Sequence, residues 1–127
     1  GGASVSILQS SANFPDNPTS TSSLTGEMAI EWALATNSGS RISTYITAPV
    51  TGDYTFWIAS DDNGSLYLSK NICPTNKVMI ASNSRWTASR QFDKEATQQS
   101  DPQSLVAGET YYLEALYTDG GGADHIA

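Results

Sequence analysis

The sequence predicts an all-β fold, an antiparallel β-sandwich, and three observations predict it. First, residues 42–47, 54–59 and 111–117 alternate between two sets of side chains with a period of two, which places successive residues on opposite faces of a strand. Second, β-branched and aromatic residues fill these runs, as half-buried pleated surfaces require. Third, turn signals such as APVTGD and DDNG separate them. Short strands with turns between them indicate a sandwich.

Taken in order, residues 1–26 are dominated by Ser, Thr, Asn and Pro. ASVSILQ is expected to form a short edge strand. FPDNPTSTSS is expected to be a loop, because Pro15 and Pro18 fix φ and remove two donors. The segment GEMAIEWALAT (26–36) is ambiguous: Glu27, Met28, Ala29 and Leu34 favour helix, but the segment is short and context overrides propensity. RISTYITAPV then sets Ile42, Thr44 and Ile46 against Ser43, Tyr45 and Thr47. DYTFWIAS sets Tyr54, Phe56 and Ile58 against Thr55, Trp57 and Ala59. SLYLS and KVMIAS are two further short strands. Residues 82–103 show no sustained period and read as a long irregular connection, and such loops are commonly functional or mobile. LVAGETYYLEALY sets Tyr111, Leu113, Ala115 and Tyr117 against Tyr112, Glu114 and Leu116. TDGGGADH is a glycine-rich loop, and IA begins a last strand. There is no internal repeat.

A chain of 127 residues fits one domain, residues 1–127, with one core. Thirteen acidic residues against six basic ones give a net charge of -7. That excludes a phosphate-backbone partner, which needs clustered Lys and Arg, and it suits cations or neutral polar ligands. Cys73 is the single cysteine, so no internal disulfide forms; beside Pro74 it reads as a small loop or core residue. No apolar run approaches the ~20 residues that span a membrane, and no signal peptide is visible. The low charge and the wealth of Ser, Thr, Asn, Gly and Gln are common in secreted adhesive β-domains, so an extracellular place is expected. Beginning GGASVSI and ending DHIA, the chain reads as a piece of a larger parent protein.

The most informative pair is Asp61-Asp62, between an alternating strand and Asn63-Gly64. Adjacent carboxylates repel unless a cation lies between them, and calcium, with about six to eight oxygen ligands, fits. In an ordinary strand the two side chains point apart, so a shared ion needs an unusual backbone. The plainer account is that both aspartates solvate a hairpin turn at Asn63-Gly64, a strong turn signal. An EF-hand is excluded by spacing, since Leu66 stands where glycine is needed and Ile72 where glutamate is needed. A second loop, Thr118 to His125, carries Asp119, Gly120, Gly121, Gly122, Ala123 and Asp124. Its glycines let backbone approach an ion closely, although a glycine-rich loop can also be only a loop. His125 has no evident nucleophile as partner and is expected to face solvent or ligand. Trp32, Trp57 and Trp86 are expected to pack in the core or at an edge, although one exposed Trp could stack on a sugar ring, and Arg85, Arg90 and Lys94 are expected to be surface charges. Asn63-Gly64-Ser65 matches an N-glycosylation acceptor and is taken as incidental.

The run ITAPVTGDYTFWIASDDNGSLYLS resembles the central signature of the PA14 domain: strand, Pro/Gly turn, aromatic strand, paired aspartates, Leu-Tyr-Leu strand. FPDNP, NKVMIAS, residues 84–117 and DGGGADHIA are similar to further parts of bacterial copies, so the resemblance covers roughly 13–127. It implies a β-sandwich of that family, here truncated at both ends: the first strand is cut short and a closing strand is missing. In lectin-type members, consecutive aspartates joined by a cis peptide bind calcium, and calcium binds sugar hydroxyls. Asp61 and Asp62 match that pair. The resemblance further implies a side-chain ligand at Asp119, with Asp124 as the competing choice, and carbonyl ligands at Gly121 and Ala123. Nearby His125, Gln98 and Gln99 are candidates for selecting the sugar, although Gln98 and Gln99 can equally be solvated loop.

Three functions are weighed. The leading expectation is a calcium-dependent carbohydrate-binding module of an extracellular adhesin, with a cell-surface glycan or polysaccharide as partner. The second is a structural or assembly module of a large secreted protein, toxin or glycosidase. The third, a hydrolase, needs carboxylates facing each other across a cleft, whereas Asp61 and Asp62 adjoin; the expectation is a binding protein and not an enzyme.

Overall fold

The computed structural model describes residues 4–31, 37–122 and 124–127. Among them lie helix α1 (Val5–Ser10) and eight strands: β1 (Gly39–Thr47), β2 (Gly52–Tyr54), β3 (Ser60–Asp61), β4 (Asn63–Leu68), β5 (Val78–Asn83), β6 (Gln103–Leu105), β7 (Thr110–Thr118) and β8 (His125–Ile126). Every strand pairing is antiparallel. One sheet runs β1-β7-β4-β5, while β2 pairs with β6 and β3 with β8. The fold is the all-β sandwich that the alternation predicts.

The core shows why. Ile42, Leu66, Leu68, Ala81, Tyr111, Leu113, Ala115 and Tyr117 come from the four-stranded sheet, Ala48 from just past the end of β1, and Ile30, Ile58, Leu105 and Ile126 from the segments packed against it. The inward set of β1 is buried or half-buried, and Ser43, Tyr45 and Thr47 are exposed. Strand β7 is central and buried on both faces. Its second face is covered by the N-terminal segment, where α1 lies against β1, β4 and β7.

That helix corrects the expected edge strand at ASVSILQ. Six residues cannot sustain a helix by propensity; packing fixes it. Gly39 has no side chain, and a Cβ there would lie 2.7 Å from Leu8 Cδ1, so the helix can press close to β1. The 26–36 segment is described only to Glu31: Ile30 exchanges two main-chain hydrogen bonds with Ile126, each 2.8 Å. Trp32 and Leu34 lie outside the described residues.

DYTFWIAS is not one strand. Its main chain changes partners as it goes. Tyr54 pairs with Gln103, Trp57 bridges Gln99, the Ile58 amide donates to Gln98 O at 3.0 Å, and Ser60 pairs with Ile126. Alternation survives where it matters, with Ile58 buried and Trp57 about half exposed. The long 82–103 connection is irregular apart from β5's end, one 3₁₀ turn at Ala96–Gln98 and the first residue of β6.

Candidate functional site

Asp61 ends β3 and Asn63 begins β4, so Asp62 alone makes the corner. The Asp61–Asp62 peptide is cis, the geometry that the resemblance implies. The Asp62 amide donates to Thr118 O at 2.8 Å, which docks the corner on the end of β7. Asn63-Gly64 is therefore not a hairpin turn: both residues start a strand, paired to Thr118 and Tyr117. Gly64 is required for close approach. A Cβ there would lie 2.3 Å from Ser60 Oγ and 2.9 Å from Asn83 Oδ1.

The second loop comes to the same place. The Gly120 amide donates to Asp62 Oδ2 at 2.9 Å, and the Gly121 amide donates to Asp119 Oδ1 at 2.9 Å. Gly121 and Gly122 have φ of +120° and +127°, values that glycine adopts freely and other residues do not. Asp119 is fully buried, and its Oδ2 has no hydrogen-bond partner. Burial and the Asp62 charge push the Asp61 carboxyl pKa up; His125 opposes the shift and Asp119 adds to it. His125 faces Asp61 across the β3–β8 ladder. It is buried, as is Asp124, so of the two expectations for His125, facing solvent or facing ligand, the first is corrected: β8 packs between Ile30 and β3.

Asp61, Asp62, Asp119 and the 120–122 backbone thus converge, with His125 on the adjoining strand β8 and Asp124 just before it. Ala123 lies outside the described residues. Among the described residues no three His, Cys, Asp or Glu side chains close into a metal-holding cluster. Asp62 and Asp119 each accept a hydrogen bond from a loop glycine amide through one oxygen.

Two predicted residues are elsewhere. Gln98 is fully buried; its Nε2 donates to Ile58 O at 2.9 Å and to Gln91 O at 2.6 Å, and its Oε1 accepts from the Glu95 amide at 2.7 Å. An amide so engaged satisfies loop carbonyls and cannot select a sugar. Gln99 is exposed but lies beside Trp57, which the chain separates from Asp61 by the Ile58–Ser60 segment.

Sequence reading missed Asn83. It is buried at the end of β5, and its Nδ2 donates to Ser60 O at 3.1 Å, Asp62 O at 2.8 Å and Arg85 O at 3.0 Å, while Oδ1 accepts from Ser60 Oγ at 3.0 Å. Thr87 adds its amide and its hydroxyl to Ser60 O. The acidic corner is therefore held from behind by one buried amide. The one hint in the sequence was an Asn closing the apolar run KVMIASN. Farther out, Lys94 stacks 3.4 Å over the exposed Trp86 ring, and Arg90 pairs with Glu27 and Glu31, so these cations are engaged rather than merely solvated.

The chain is 34% identical over 132 residues to N-acetyl-beta-glucosaminyl-glycoprotein 4-beta-N-acetylgalactosaminyltransferase 1 of Mus musculus, a match covering 98% of this chain and 12% of that protein. It is 39% identical over 82 residues to fibrocystin of Canis lupus familiaris, covering 59% of this chain and 2% of that one. It is 36% identical over 76 residues to fibrocystin-L of Homo sapiens, covering 60% and 2%. The chain spans a small fraction of the length of these relatives, in which the matching segment is one part of a large protein. The PA14 domain family matches residues 3–126, nearly the whole sandwich and both loops of the acidic corner, and the chain belongs to the PA14 domain family.

Proposed function

We propose that this domain is a calcium-dependent carbohydrate-binding module of a larger extracellular protein. The observation that carries the reading is the convergence of three aspartates from two loops, with Asp119 Oδ2 buried and without a hydrogen-bond partner. A buried carboxylate oxygen left so is costly unless a cation compensates it. Asp61, Asp62 and Asp119, with loop carbonyls such as that of Gly121, are the oxygen-only donor set that suits calcium. Calcium held by these residues would supply a cationic centre for sugar hydroxyl oxygens. The protein's own part is to hold the two loops together and to fix the corner through Asn83. The domain acts by binding and not by catalysis. Affinity for one sugar is modest, and a parent with several copies gains by avidity. The name of the transferase relative, which refers to a glycoprotein sugar, is in keeping with a carbohydrate context.

A second reading has its own observation. The carboxylates of the described residues do not close into a preformed cluster, which favours a structural or assembly module in which the acidic corner only ties loops together. Titration calorimetry with calcium, followed by binding to sugar-coated beads with and without chelator, separates the two. Heat of calcium binding and chelator-sensitive sugar capture are expected. Folded protein that binds neither leaves the structural module.

A further inference from the structure

Asn63 and Gly64 form the one Asn-Gly dipeptide of the chain. Such a pair rearranges spontaneously where the chain is free to move, because glycine puts no side chain between its own nitrogen and the preceding carboxamide. The Gly64 main-chain nitrogen gives up its proton and bonds to Asn63 Cγ. The Cγ–Nδ2 bond breaks, and Nδ2 leaves as ammonia. Solvent water then opens the succinimide ring at either carbonyl. Position 63 becomes aspartate, or isoaspartate with the main chain rerouted through Cβ. The reaction consumes water alone.

The fold decides when this can happen. The ring closes only if the main chain turns about the Asn63 Cα–C bond, out of the extended form. Asn63 opens β4 and is held extended by pairing with Thr118, while Gly64 pairs with Tyr117 on one side and Asn83 on the other. The leaving group is held too, since Asn63 Nδ2 donates to Ser84 O at 2.7 Å. Gly64 is buried, with Ser60 Oγ and Asn83 Oδ1 filling the space where a Cβ would stand. Just before the pair, the Asp62 amide donates to Thr118 O and Asp62 O accepts from Asn83 Nδ2, each at 2.8 Å.

We propose that Asn63–Gly64 is a self-modification site of this domain, closed in the folded corner and reactive only when the start of β4 leaves β7 and β5. Isoaspartate at position 63 puts an extra carbon into the main chain between Asp62 and Gly64. The register of β4 on β7 and the Asp62 bond to Thr118 O then cannot both be restored. A transient opening thereby becomes a permanent loss of the Asp61–Asp62 corner. This follows from strand pairing and stands whether or not the corner holds an ion.

The test incubates the folded domain, and the same chain in denaturing guanidinium chloride, in warm neutral buffer. The tryptic peptide 42–70 contains Asn63 as its only Asn or Gln, so the mass gained when an amide becomes an acid is assigned there. The denatured chain converts, and the folded chain does so at least about a hundredfold more slowly, as expected of a reaction that needs a strand to open. Asn83→Ala removes the grip on Asp62 O and speeds folded-state conversion about tenfold or more. Thr87→Val, which removes one hydroxyl bond to Ser60 O, is the milder variant and also speeds it. Leu105→Ala, a core truncation in the β2–β6 pair, speeds it clearly less than Asn83→Ala. Equal rates in folded and denatured chains, no conversion in the denatured chain, or Leu105→Ala matching Asn83→Ala each overturns the proposal.

Discussion

Asn83 Nδ2 donates to Asp62 O at 2.8 Å and to Ser60 O at 3.1 Å, so one buried amide grips the main chain on both sides of Asp61. Its remaining bonds, to Arg85 O and from Ser60 Oγ, fasten the same corner to the start of the long loop. The carboxylates at the surface are placed by a neutral residue behind them.

Asn83→Ala is therefore strongly destabilising. It takes a donor from the main-chain oxygens of Ser60, Asp62 and Arg85, of which the Ser60 oxygen is buried but keeps two bonds from Thr87 and the other two are part-buried, and a buried polar group left unpaired costs about 1–3 kcal/mol. A total of about 3 kcal/mol is expected by urea denaturation. A change under about 1 kcal/mol, the scale of an ordinary surface hydrogen bond, would show that the corner does not lean on Asn83.

Two glycines give opposite outcomes. Gly64→Ala places a methyl 2.3 Å from Ser60 Oγ and 3.0 Å from Ile58 Cδ1, an overpacking that costs about 1–3 kcal/mol. Gly52, in β2, has open space within 4 Å of where a Cβ would stand, and its φ is not positive; Gly52→Ala is neutral or stabilising by up to about 1 kcal/mol through the unfolded state. Thermal denaturation of the pair checks both signs.

This contrast shows what could be read from sequence. The period-two runs at 41–47 and 111–117 were legible because burial of one face is written residue by residue, and β1 and β7 pair over nine residues in simple register. The cis Asp61–Asp62 corner and the approach of the 119–122 loop to it were legible through the family signature. Asn63-Gly64 misled because local turn chemistry cannot see that β7 receives Asn63 and Gly64 as a strand. Gln98 misled because a polar residue in a polar loop gives no sign that it is the loop's own core. Helix α1 was illegible for the same kind of reason: what fixes it is Gly39, some thirty residues away in sequence.

The pH response of the long loop follows from Glu95. Burial raises its pKa, but bonds from the Ser84 amide, the Arg85 guanidinium and the Ser84 hydroxyl outweigh burial and leave it below the ordinary value of 4.5. A carboxyl whose folded pKa is depressed stabilises the fold above the unfolded value, and that stabilisation fades as pH falls through the folded value. Wild type and Glu95→Gln should thus differ by a constant amount above about pH 5 and converge in more acidic solution. A gap that widens on acidification contradicts the assignment.

The acidic corner makes the sharpest prediction. Without calcium, Asp119→Asn removes a buried charge whose Oδ2 has no hydrogen-bond partner, so this variant is as stable as wild type or more so. With calcium at about a hundred times its dissociation constant, wild type gains about 2.7 kcal/mol, or roughly 10 °C in Tm for a chain of this size. Asp61→Asn, Asp62→Asn and Asp119→Asn each lose most of that gain, because each removes a charged oxygen ligand. The direction of the two effects is what decides. A purely structural corner predicts that Asp62→Asn and Asp119→Asn weaken the tie to Gly120 and Gly121 and lower Tm, with calcium having no effect on any form. A calcium site predicts neutral or raised stability for Asp119→Asn in chelator and a calcium-dependent gain in wild type alone. Differential scanning fluorimetry of four proteins in two buffers separates the two accounts.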